Sequence, residues 1–415
     1  MNYHVVLAGF VDSGIFVSNQ KPGNAGKNVM LGLKVTETGL FAAEIIRKVR
    51  EREALSRVEL ARELGVAAST IGRHVDTLVE KRYFTETVEP THEAGRPPTR
   101  LRPNPNRGCF LGVDFYADGL FATAVDFAQQ TIAKKAYPLD GAKGVEHVLE
   151  EVSHALAEMR DLAHLPVLSA GLATPGRVDT RRGIGLAYYF VPGWENVPLA
   201  EKMAETVGLP VFIENNVRAM SLAERWFGEG RGCSDIICMG VRIGVSAGVV
   251  RDGQLATGFR ELGGEIRGWS CPVYDSKSGK WSWHPGATIE KFASISTVLS
   301  KYKERTGQSL SIKEFLDLAR QGNVEALHIV KEVAAIHGWA ISQMAQLVDP
   351  EKIILAGPLT TLGDTYLELV TQFATEFEST FHPSVPVRIS GLGEFAGAVG
   401  AAALALERWR PADLS

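Results

Sequence analysis

The chain has 415 residues, 45% of them hydrophobic and 22% charged, which is typical of a globular protein with two or three domains. No apolar run approaches the roughly 20 residues that cross a membrane, and the opening MNYHVVLAGF lacks the basic start of a secretion signal. The four cysteines form no CxxC pair, which argues against a disulfide framework and a cysteine-rich zinc site and predicts a cytoplasmic location.

The net charge of −4 is unevenly distributed along the chain. Residues 34–107 carry a net charge of +3, whereas residues 108–415 carry −8. A mildly basic N-terminal module is therefore attached to an acidic body, and contact with nucleic acid is to be sought in the module.

The N-terminal region divides into an aperiodic arm and three helices. Residues 1–35 show no periodicity and are predicted to form a flexible arm. A first helix starts near residue 38, and a capping box at Ser56 and Glu59 starts a second, which Gly65 ends. A third helix is predicted from about residue 68 to residue 81. Its buried face carries Ile71, Val75 and Leu78.

The opposite face of the third helix carries short hydroxyl side chains and a guanidinium, which suit contacts with phosphates and base edges. These residues are Ser69, Thr70, Arg73, His74 and Thr77. A solvated helix face would have a similar composition, so this pattern alone leaves both interpretations open. Basic residues in the next segment favour nucleic acid, because a wing there would meet the DNA backbone or minor groove. They are Arg96, Arg100 and Arg102.

After residue 108, short strands and helices alternate. CFLGVDF and LFATAVDF predict one strand hairpin, and IICMGV with SAGVVRDGQLA predicts a second. Strand–helix units follow each hairpin, and AGAVGAAALALERW predicts a closing helix. This twofold occurrence predicts two similar α/β lobes around a cleft.

The segment ELARELGVAASTIGRHVDTLVEKRYF resembles the winged helix of repressors in the ROK family, a family of repressors, open reading frames and kinases. The following GRPPTRLRPNPNRGCFLGVDF resembles the junction to that family's sugar-kinase-like domain. The resemblance extends from about residue 36 to the C-terminus. It implies an α/β protein with an N-terminal winged helix-turn-helix and a two-lobed, actin/hexokinase-like (ribonuclease H-like) ROK domain.

The resemblance also implies domain boundaries. The implied parts are the winged helix-turn-helix at 36–103, lobe 1 at 108–230, lobe 2 at 231–395 and a C-terminal helix returning to lobe 1 at 396–415. Polar residues are usual in the family's recognition helix where this chain has Ala67, Ala68 and Gly72. Fewer base contacts are therefore expected here.

The family's kinases hold phosphates in two glycine-rich loops, whose glycines let the backbone approach the ligand. The first loop reads DFYAD at residues 114–118, where Tyr116 and Ala117 replace glycines and Asp118 replaces a threonine. The second reads RIGVSAG at residues 242–248 and keeps only part of its glycines. A bulky ring and an added carboxylate oppose triphosphate binding.

The family's catalytic base is an Asp that accepts the proton of the sugar hydroxyl. Asn216 occupies its position, and an amide cannot accept that proton at neutral pH. No catalytic residue is therefore expected. The positions of the family's zinc ligands hold Gly268, Trp281, Trp283 and Thr288, so neither a metal ion nor another cofactor is expected.

The family's sugar-binding positions are better preserved. Amides and carboxylates, which can form hydrogen bonds to hydroxyl groups, match them at Asn215, Asn216, Glu265 and Glu290. Phe190 replaces an Asn of the family's sugar site, so the ligand is expected to be a modified or less polar sugar, or not a sugar.

The chain is thus predicted to be a DNA-binding transcriptional regulator of carbohydrate genes, a repressor by resemblance, with a sugar-like effector in a kinase-dead cleft. The expected partners are a two-fold symmetric double-stranded operator, the effector and further copies of the chain in a homodimer or homotetramer, with no membrane. Two alternatives stay open. One is a ligand-independent DNA-binding protein with a vestigial body, and the other is an active sugar kinase.

Overall fold

The structure, a computed structural model, describes residues 37–88, 99–377, 384–411 and 414. The predicted flexible arm at residues 1–35 lies outside these ranges, as does the junction GRPP at residues 95–98. None of the described helices is both long and apolar enough to cross a membrane.

The N-terminal module contains the three predicted helices and two wing strands. They are α1 (Glu37–Arg52), α2 (Arg57–Leu64), α3 (Ala68–Glu80), β1 (Phe84–Val88) and β2 (Thr99–Pro103), with β1 and β2 antiparallel. The capping box is confirmed, since Ser56 accepts the Glu59 N–H and the Glu59 carboxylate accepts the Ser56 N–H at 2.8 Å. Gly65 adopts a left-handed conformation with φ 64° and closes α2. Sequence periodicity therefore located all three helices.

Lobe 1 is built on a five-stranded sheet with the order β10-β6-β3-β4-β5, in which β3, β4 and β5 are antiparallel and β6 and β10 are parallel to β3. A small sheet of β7, β8 and β9 lies beside it. Its elements are β3 (Cys109–Tyr116), β4 (Gly119–Asp126), β5 (Thr131–Tyr137), α4 (Val145–Ala163), β6 (Val167–Thr174), β7 (Arg177–Asp179), β8 (Ile184–Ala187), β9 (Glu195–Val197), α5 (Leu199–Val207), β10 (Val211–Asn215) and α6 (Asn216–Phe227).

Lobe 2 repeats the pattern with a five-stranded sheet of order β13-β12-β11-β16-β17. Its elements are β11 (Ile236–Val241), β12 (Val245–Arg251), β13 (Gln254–Leu255), β14 (Val273–Asp275), β15 (Lys280–Ser282), α7 (Ile289–Ala293), α8 (Ile295–Thr306), α9 (Ile312–Arg320), α10 (Val324–Val348), β16 (Lys352–Ala356), α11 (Asp364–Thr375) and β17 (Val387–Ile389). Both predicted hairpins are present, as β3–β4 and β11–β12. The predicted α/β architecture with two similar lobes is thereby confirmed.

The closing helix, α12 (Ala396–Arg408), packs on the sheet of lobe 1 through glycines. A Cβ atom on Gly112 would lie 2.1 Å from the Ala398 carbonyl oxygen, and one on Gly171 would lie 1.9 Å from that of Ala401. Any side chain at these strand positions would force the helix away from the sheet. The backbone of α12 therefore lies against the backbone of the sheet at these two positions.

The N-terminal module packs on the body through a shared apolar core that joins α1 to α6 and α12. Arg50 of α1 is only 3% exposed, and its guanidinium carbon lies 3.8 Å from the ring centre of Phe127 and 5.1 Å from that of Phe110. Burial lowers the pKa of Arg50 to about 9. The module is thus held by packing as well as by its covalent link.

Candidate functional site

Two of the predicted ligand-binding residues lie at the start of α6. The Asn215 side chain caps the helix, because its Oδ1 accepts the N–H groups of Val217 at 3.0 Å and Arg218 at 3.4 Å. Its Nδ2 donates to the Gly176 carbonyl at 3.1 Å. Asn216 is the first helical residue and is partly exposed. Asn215 therefore shapes the site, whereas Asn216 is the one of the pair that a ligand could reach.

The two predicted glutamates lie on adjacent segments of lobe 2. The Glu290 N–H donates to the Arg267 carbonyl at 3.1 Å, which places the start of α7 beside the segment that carries Glu265. The Glu265 carboxylate lies 3.4 Å from the Arg267 guanidinium and is partly exposed. Glu290 Oε1 lies against Gly244, where an added Cβ would be 3.2 Å away. Gly244, retained from the second glycine-rich loop, thus leaves room for the Glu290 carboxylate.

A buried arginine links these segments to α6. The Arg218 Nε donates to Glu214 Oε1 at 2.6 Å, and Nη1 donates to the Glu261 carbonyl at 2.6 Å, four residues before Glu265. Glu214 and Arg218 are almost fully buried, and the pKa of Glu214 is raised because burial outweighs the charge of Arg218. The three segments that carry the predicted residues therefore meet. We call Asn216, Glu265 and Glu290 the polar corner of the cleft.

The first glycine-rich loop, in contrast, is closed by an ion pair between the lobes. The fully buried Asp114 of β3 accepts a hydrogen bond from Arg242 Nη1 at 2.8 Å, and Arg242 follows β11 directly. The Arg242 guanidinium lies 5.4 Å from the ring centre of Tyr116. Burial raises the pKa of Asp114 despite the adjacent guanidinium.

A second internal bond closes the same loop. The Ala117 N–H, at the position of a phosphate-loop glycine, donates to the Tyr188 hydroxyl at 3.1 Å. The Tyr116 ring stacks on Phe121 with centres 5.7 Å apart. We call Asp114, Tyr116, Ala117 and Arg242 the phosphate corner. Sequence reasoning predicted that this loop opposes phosphate, but it identified neither the Arg242 ion pair nor the Tyr188 bond.

The region that matches the family's zinc site contains aromatic side chains. Trp283 packs edge-on against Trp339 with ring centres 6.3 Å apart, and His284 Nε2 lies 2.9 Å from the Ser282 hydroxyl. Burial raises the pKa of the Cys271 thiol to about 11. Across the described ranges, no group of three His, Cys, Asp or Glu side chains could hold a metal ion. The expectation of a zinc-free protein stays a prediction.

Phe190, predicted to make the cleft less polar, follows β8 on the lobe 1 side. Its side chain is 57% exposed, and its ring centre lies 5.5 Å from that of Tyr188. Because Tyr188 also holds the phosphate corner, the aromatic segment borders the cleft.

The outer face of α3 presents most of the residues predicted to read DNA. Ser69, Arg73 and Thr77 are exposed, and Thr70 is partly exposed. His74 is half-buried and packs edge-on against Phe41 of α1, with ring centres 4.9 Å apart. His74 therefore contributes to the contact between two helices of the module.

The wing arginines are held differently from one another. Arg100 of β2 forms an ion pair with Glu59 of the capping box. The pKa of Glu59 falls to about 2 because of hydrogen bonds from Ser56 and Arg100. Arg102 donates to the Thr87 hydroxyl at 3.3 Å. Arg96 lies outside the described residues. Arg100 thus ties the wing to α2, and its contact with the DNA backbone stays a prediction.

Comparison with known sequences gives both regulators and kinases. The sequence model of the ROK family matches residues 110–408. The xylose repressor of Caldicellulosiruptor bescii is 23% identical over 382 residues, covering 87% of this chain and 94% of that protein. The DNA-binding transcriptional repressor Mlc of Escherichia coli is 23% identical over 369 residues, covering 86% and 87%. The glucokinase of Thermotoga maritima is 28% identical over 280 residues, covering 64% and 87%.

Comparison with solved structures gives the same two classes. A ROK family transcriptional regulator described as a homologue of Escherichia coli Mlc has a TM-score of 0.72 at 22% identity, covering 89% of this chain and 96% of its own. The ROK hexokinase from Thermus thermophilus has a TM-score of 0.60 at 25% identity, covering 72% and 97%. The regulators cover 86–89% of this chain and therefore extend into its N-terminal module, whereas the two kinases cover 64% and 72% of it.

Proposed function

The chain belongs to the ROK family, and from this membership we propose that it is a DNA-binding transcriptional regulator that responds to a sugar or a sugar-like molecule. The matches to the xylose repressor and to Mlc cover 87% and 86% of the chain and so extend into its N-terminal module; both relatives are repressors, and Mlc is a DNA-binding protein. We propose that it represses genes of carbohydrate metabolism from the cytoplasm. A homodimer or homotetramer would present its recognition helices to a two-fold symmetric operator.

The observation that carries the proposal is the coexistence of an exposed recognition surface on α3 with a cleft whose phosphate corner is bonded internally. Arg73 is exposed on α3, where it could reach a base edge. Asp114 and Ala117 are committed to Arg242 and Tyr188. A protein with this arrangement can bind DNA and a polar ligand without transferring phosphate.

The DNA-binding part of the proposal is tested with duplexes selected from a random pool by the full-length protein. Arg73→Ala is expected to weaken binding to the selected duplex by about 1–3 kcal/mol, roughly 5- to 150-fold, because a base contact is lost. Binding to random DNA changes far less. Arg320→Ala, at the end of α9 in lobe 2, serves as the charge-matched control. An equal loss on both DNAs would refute base reading by Arg73.

Sugar phosphorylation is the second candidate, because the Thermotoga maritima glucokinase is similar to this chain over 280 residues. Purified protein with glucose, ATP and magnesium is expected to give no sugar-dependent ATP turnover, since Asn216 replaces the base. Xylose is tested in parallel. If the wild type shows turnover and Asn216→Ala abolishes it, the body is an active sugar kinase. Elemental analysis of the same preparation is expected to find no stoichiometric zinc.

A further inference from the structure

One helix, α6, joins the cleft to the DNA-binding module. Its 12 residues span about 18 Å at 1.5 Å per residue. Its first turn carries Asn216 of the polar corner. Its last turn carries Arg225 and Trp226, which contact the module and the closing helix.

The cleft end of α6 is hydrogen-bonded to the segment of lobe 2 that leads to Glu265. The Arg218 Nη1–Glu261 carbonyl hydrogen bond is 2.6 Å long, and Glu261 also accepts from the Thr180 N–H at 2.7 Å. Glu261 is followed by the segment that carries Glu265. A ligand that draws Glu265 toward Asn216 would therefore displace the segment that is hydrogen-bonded to Arg218 in the first turn of α6.

The middle of α6 packs closely against one glycine of α12 and one glycine of β12. A Cβ atom on Gly400 of α12 would lie 1.9 Å from the Ala219 carbonyl oxygen, and one on Gly248 of β12 would lie 1.9 Å from the Ser221 hydroxyl. At the Gly400 crossing no side chain separates α6 from α12, whereas at the Gly248 crossing the Ser221 hydroxyl lies directly against the strand. A displacement of α6 cannot be absorbed by rotamer changes at the Gly400 crossing, because close-packed contacts transmit strain.

At the far end of α6, the guanidinium of Arg225 connects this helix to α1 and α12. Arg225 is 8% exposed, and its Nη2 lies 2.6 Å from Glu51 of α1 while Nη1 lies 3.3 Å from Glu407 of α12. The Trp226 indole N–H donates to the same Glu407 oxygen at 2.6 Å. A second ion pair to the module, between Arg231 and Glu53, lies beyond the helix and is exposed. Of these two ion pairs, the one at Arg225 is therefore the one that a movement of α6 would displace.

We propose that Arg225 is the positioning residue that transmits the state of the cleft to the DNA-binding module through its ion pair with Glu51. This proposal rests on the proposed function, because it presupposes that a sugar alters operator binding. Movement of α6 shifts Glu51 and with it α1, against which α2 and α3 pack. The spacing of the two recognition helices in a dimer changes accordingly.

The test compares Arg225→Met with Arg231→Met in the full chain. Arg225→Met removes the ion pair on α6 and keeps an unbranched side chain, whereas Arg231→Met removes the exposed ion pair beyond it. Three quantities are measured for each protein with the selected operator duplex and with D-xylose or D-glucose. They are operator affinity without sugar, operator affinity with sugar, and sugar affinity.

The wild type and Arg231→Met are expected to show a sugar-induced change in operator affinity of roughly 5- to 150-fold. In Arg225→Met that change falls to less than about twofold, while sugar affinity and sugar-free operator affinity stay within about threefold of the wild type. Arg225→Lys, which retains one charge, restores part of the response. A full response in Arg225→Met would overturn the proposal and leave the proposed function intact.

Two further outcomes are decisive. If neither sugar changes the operator affinity of the wild type, the proposed function fails and this inference fails with it. Glu51→Gln guards against misfolding, because it removes the same ion pair from the module side, together with the pairs of Glu51 with Arg47 and Lys48 within α1, and leaves Arg225 bonded to Glu407. If Arg225→Met and Glu51→Gln both lose sugar-free operator binding, the ion pair is structural and the proposal is wrong.

Discussion

The two corners of the cleft treat their polar groups in opposite ways. In the phosphate corner, Asp114 is fully buried and bound to Arg242, and the Ala117 N–H is bound to Tyr188. In the polar corner, Glu265 and Glu290 remain partly exposed. Polar groups that are hydrogen-bonded within the protein are not available to bind a ligand, whereas partly exposed polar groups are. Substitutions in the phosphate corner should therefore change stability, and substitutions in the polar corner should change binding.

The largest effect is expected at the ion pair between the lobes. Arg242→Met leaves the buried carboxylate of Asp114 without its partner and is expected to lower the free energy of unfolding by about 3–5 kcal/mol. Urea denaturation of the purified variant measures the loss. Adding Asp114→Asn removes the buried charge and is expected to recover much of it. If Arg242→Met alone is as stable as the wild type, the ion pair does not stabilise the phosphate corner.

A buried histidine outside both corners is expected to make the stability of the protein depend on pH. His337 donates from Nε2 to the Ala293 carbonyl at 2.8 Å, and the Tyr366 hydroxyl donates to its Nδ1 at 2.7 Å. Burial lowers the pKa of His337 to about 4 from an ordinary value of 6.5. Between pH 4 and 6.5 the unfolded chain therefore binds more protons than the folded chain, so stability falls as the pH is lowered through this window.

The shift corresponds to a loss of about 3 kcal/mol between pH 7 and pH 4. His337→Gln keeps a donor and an acceptor but does not titrate, so the variant lacks this part of the loss. Unfolding free energies at pH 7, 5.5 and 4.5 measure the difference between the two proteins. Identical pH profiles would mean that His337 is solvated or charged in the folded state. The unfolding free energies from the same urea series can be compared with those of the cleft variants.

In the polar corner, a substitution is expected to lower the affinity for the sugar and to leave the free energy of unfolding nearly unchanged. Glu290→Gln is expected to change the unfolding free energy by less than about 0.5 kcal/mol, because the side chain is partly exposed. Its affinity for the sugar falls by about 1.5–3 kcal/mol, roughly 10- to 150-fold, as a charged hydrogen bond is lost. Calorimetry with the sugar that raises the melting temperature of the wild type measures this loss. Glu304→Gln, an exposed carboxylate on α8, is the matched control.

The opposite pattern would break the comparison between the corners. Glu290→Gln that unfolds easily would make the carboxylate structural, and Glu290→Gln that binds sugar normally would move the ligand elsewhere in the cleft. A panel in which no sugar raises the melting temperature would favour the ligand-independent alternative, since a ligand that binds the folded state must stabilise it.

The sequence predicted the elements of the fold better than the contacts of the cleft. Helical periodicity and the capping box at Ser56 and Glu59 are local signals, and α2 begins where they indicate. The bond between Asp114 and Arg242 joins residues 128 positions apart, and the bond between Ala117 and Tyr188 joins residues 71 apart. Pairings over such distances depend on how the lobes pack. The sequence signal that could have indicated the ion pair is Arg242, a charged residue at the start of the second glycine-rich loop.

The same limit applies to two residues chosen from the sequence. His74 has the helical spacing of a recognition residue, but α1 packs over it through Phe41, and a pattern within α3 cannot reveal its neighbour. Asn215 matches a ligand-binding position and is used as a helix cap. Family position thus predicts which residues line the cleft, and the hydrogen bonds distinguish those bonded within the fold from those left partly exposed.

The central claim, a cleft that binds a sugar and thereby controls operator binding, is tested most directly by measuring both affinities of the wild-type protein. Operator affinity is determined with and without saturating sugar, and sugar affinity with and without saturating operator. Coupling of about 1–3 kcal/mol predicts a change of roughly 5- to 150-fold in each, and the two factors must be equal because the linkage is reciprocal. Operator affinity that does not change when the sugar is bound would contradict the account.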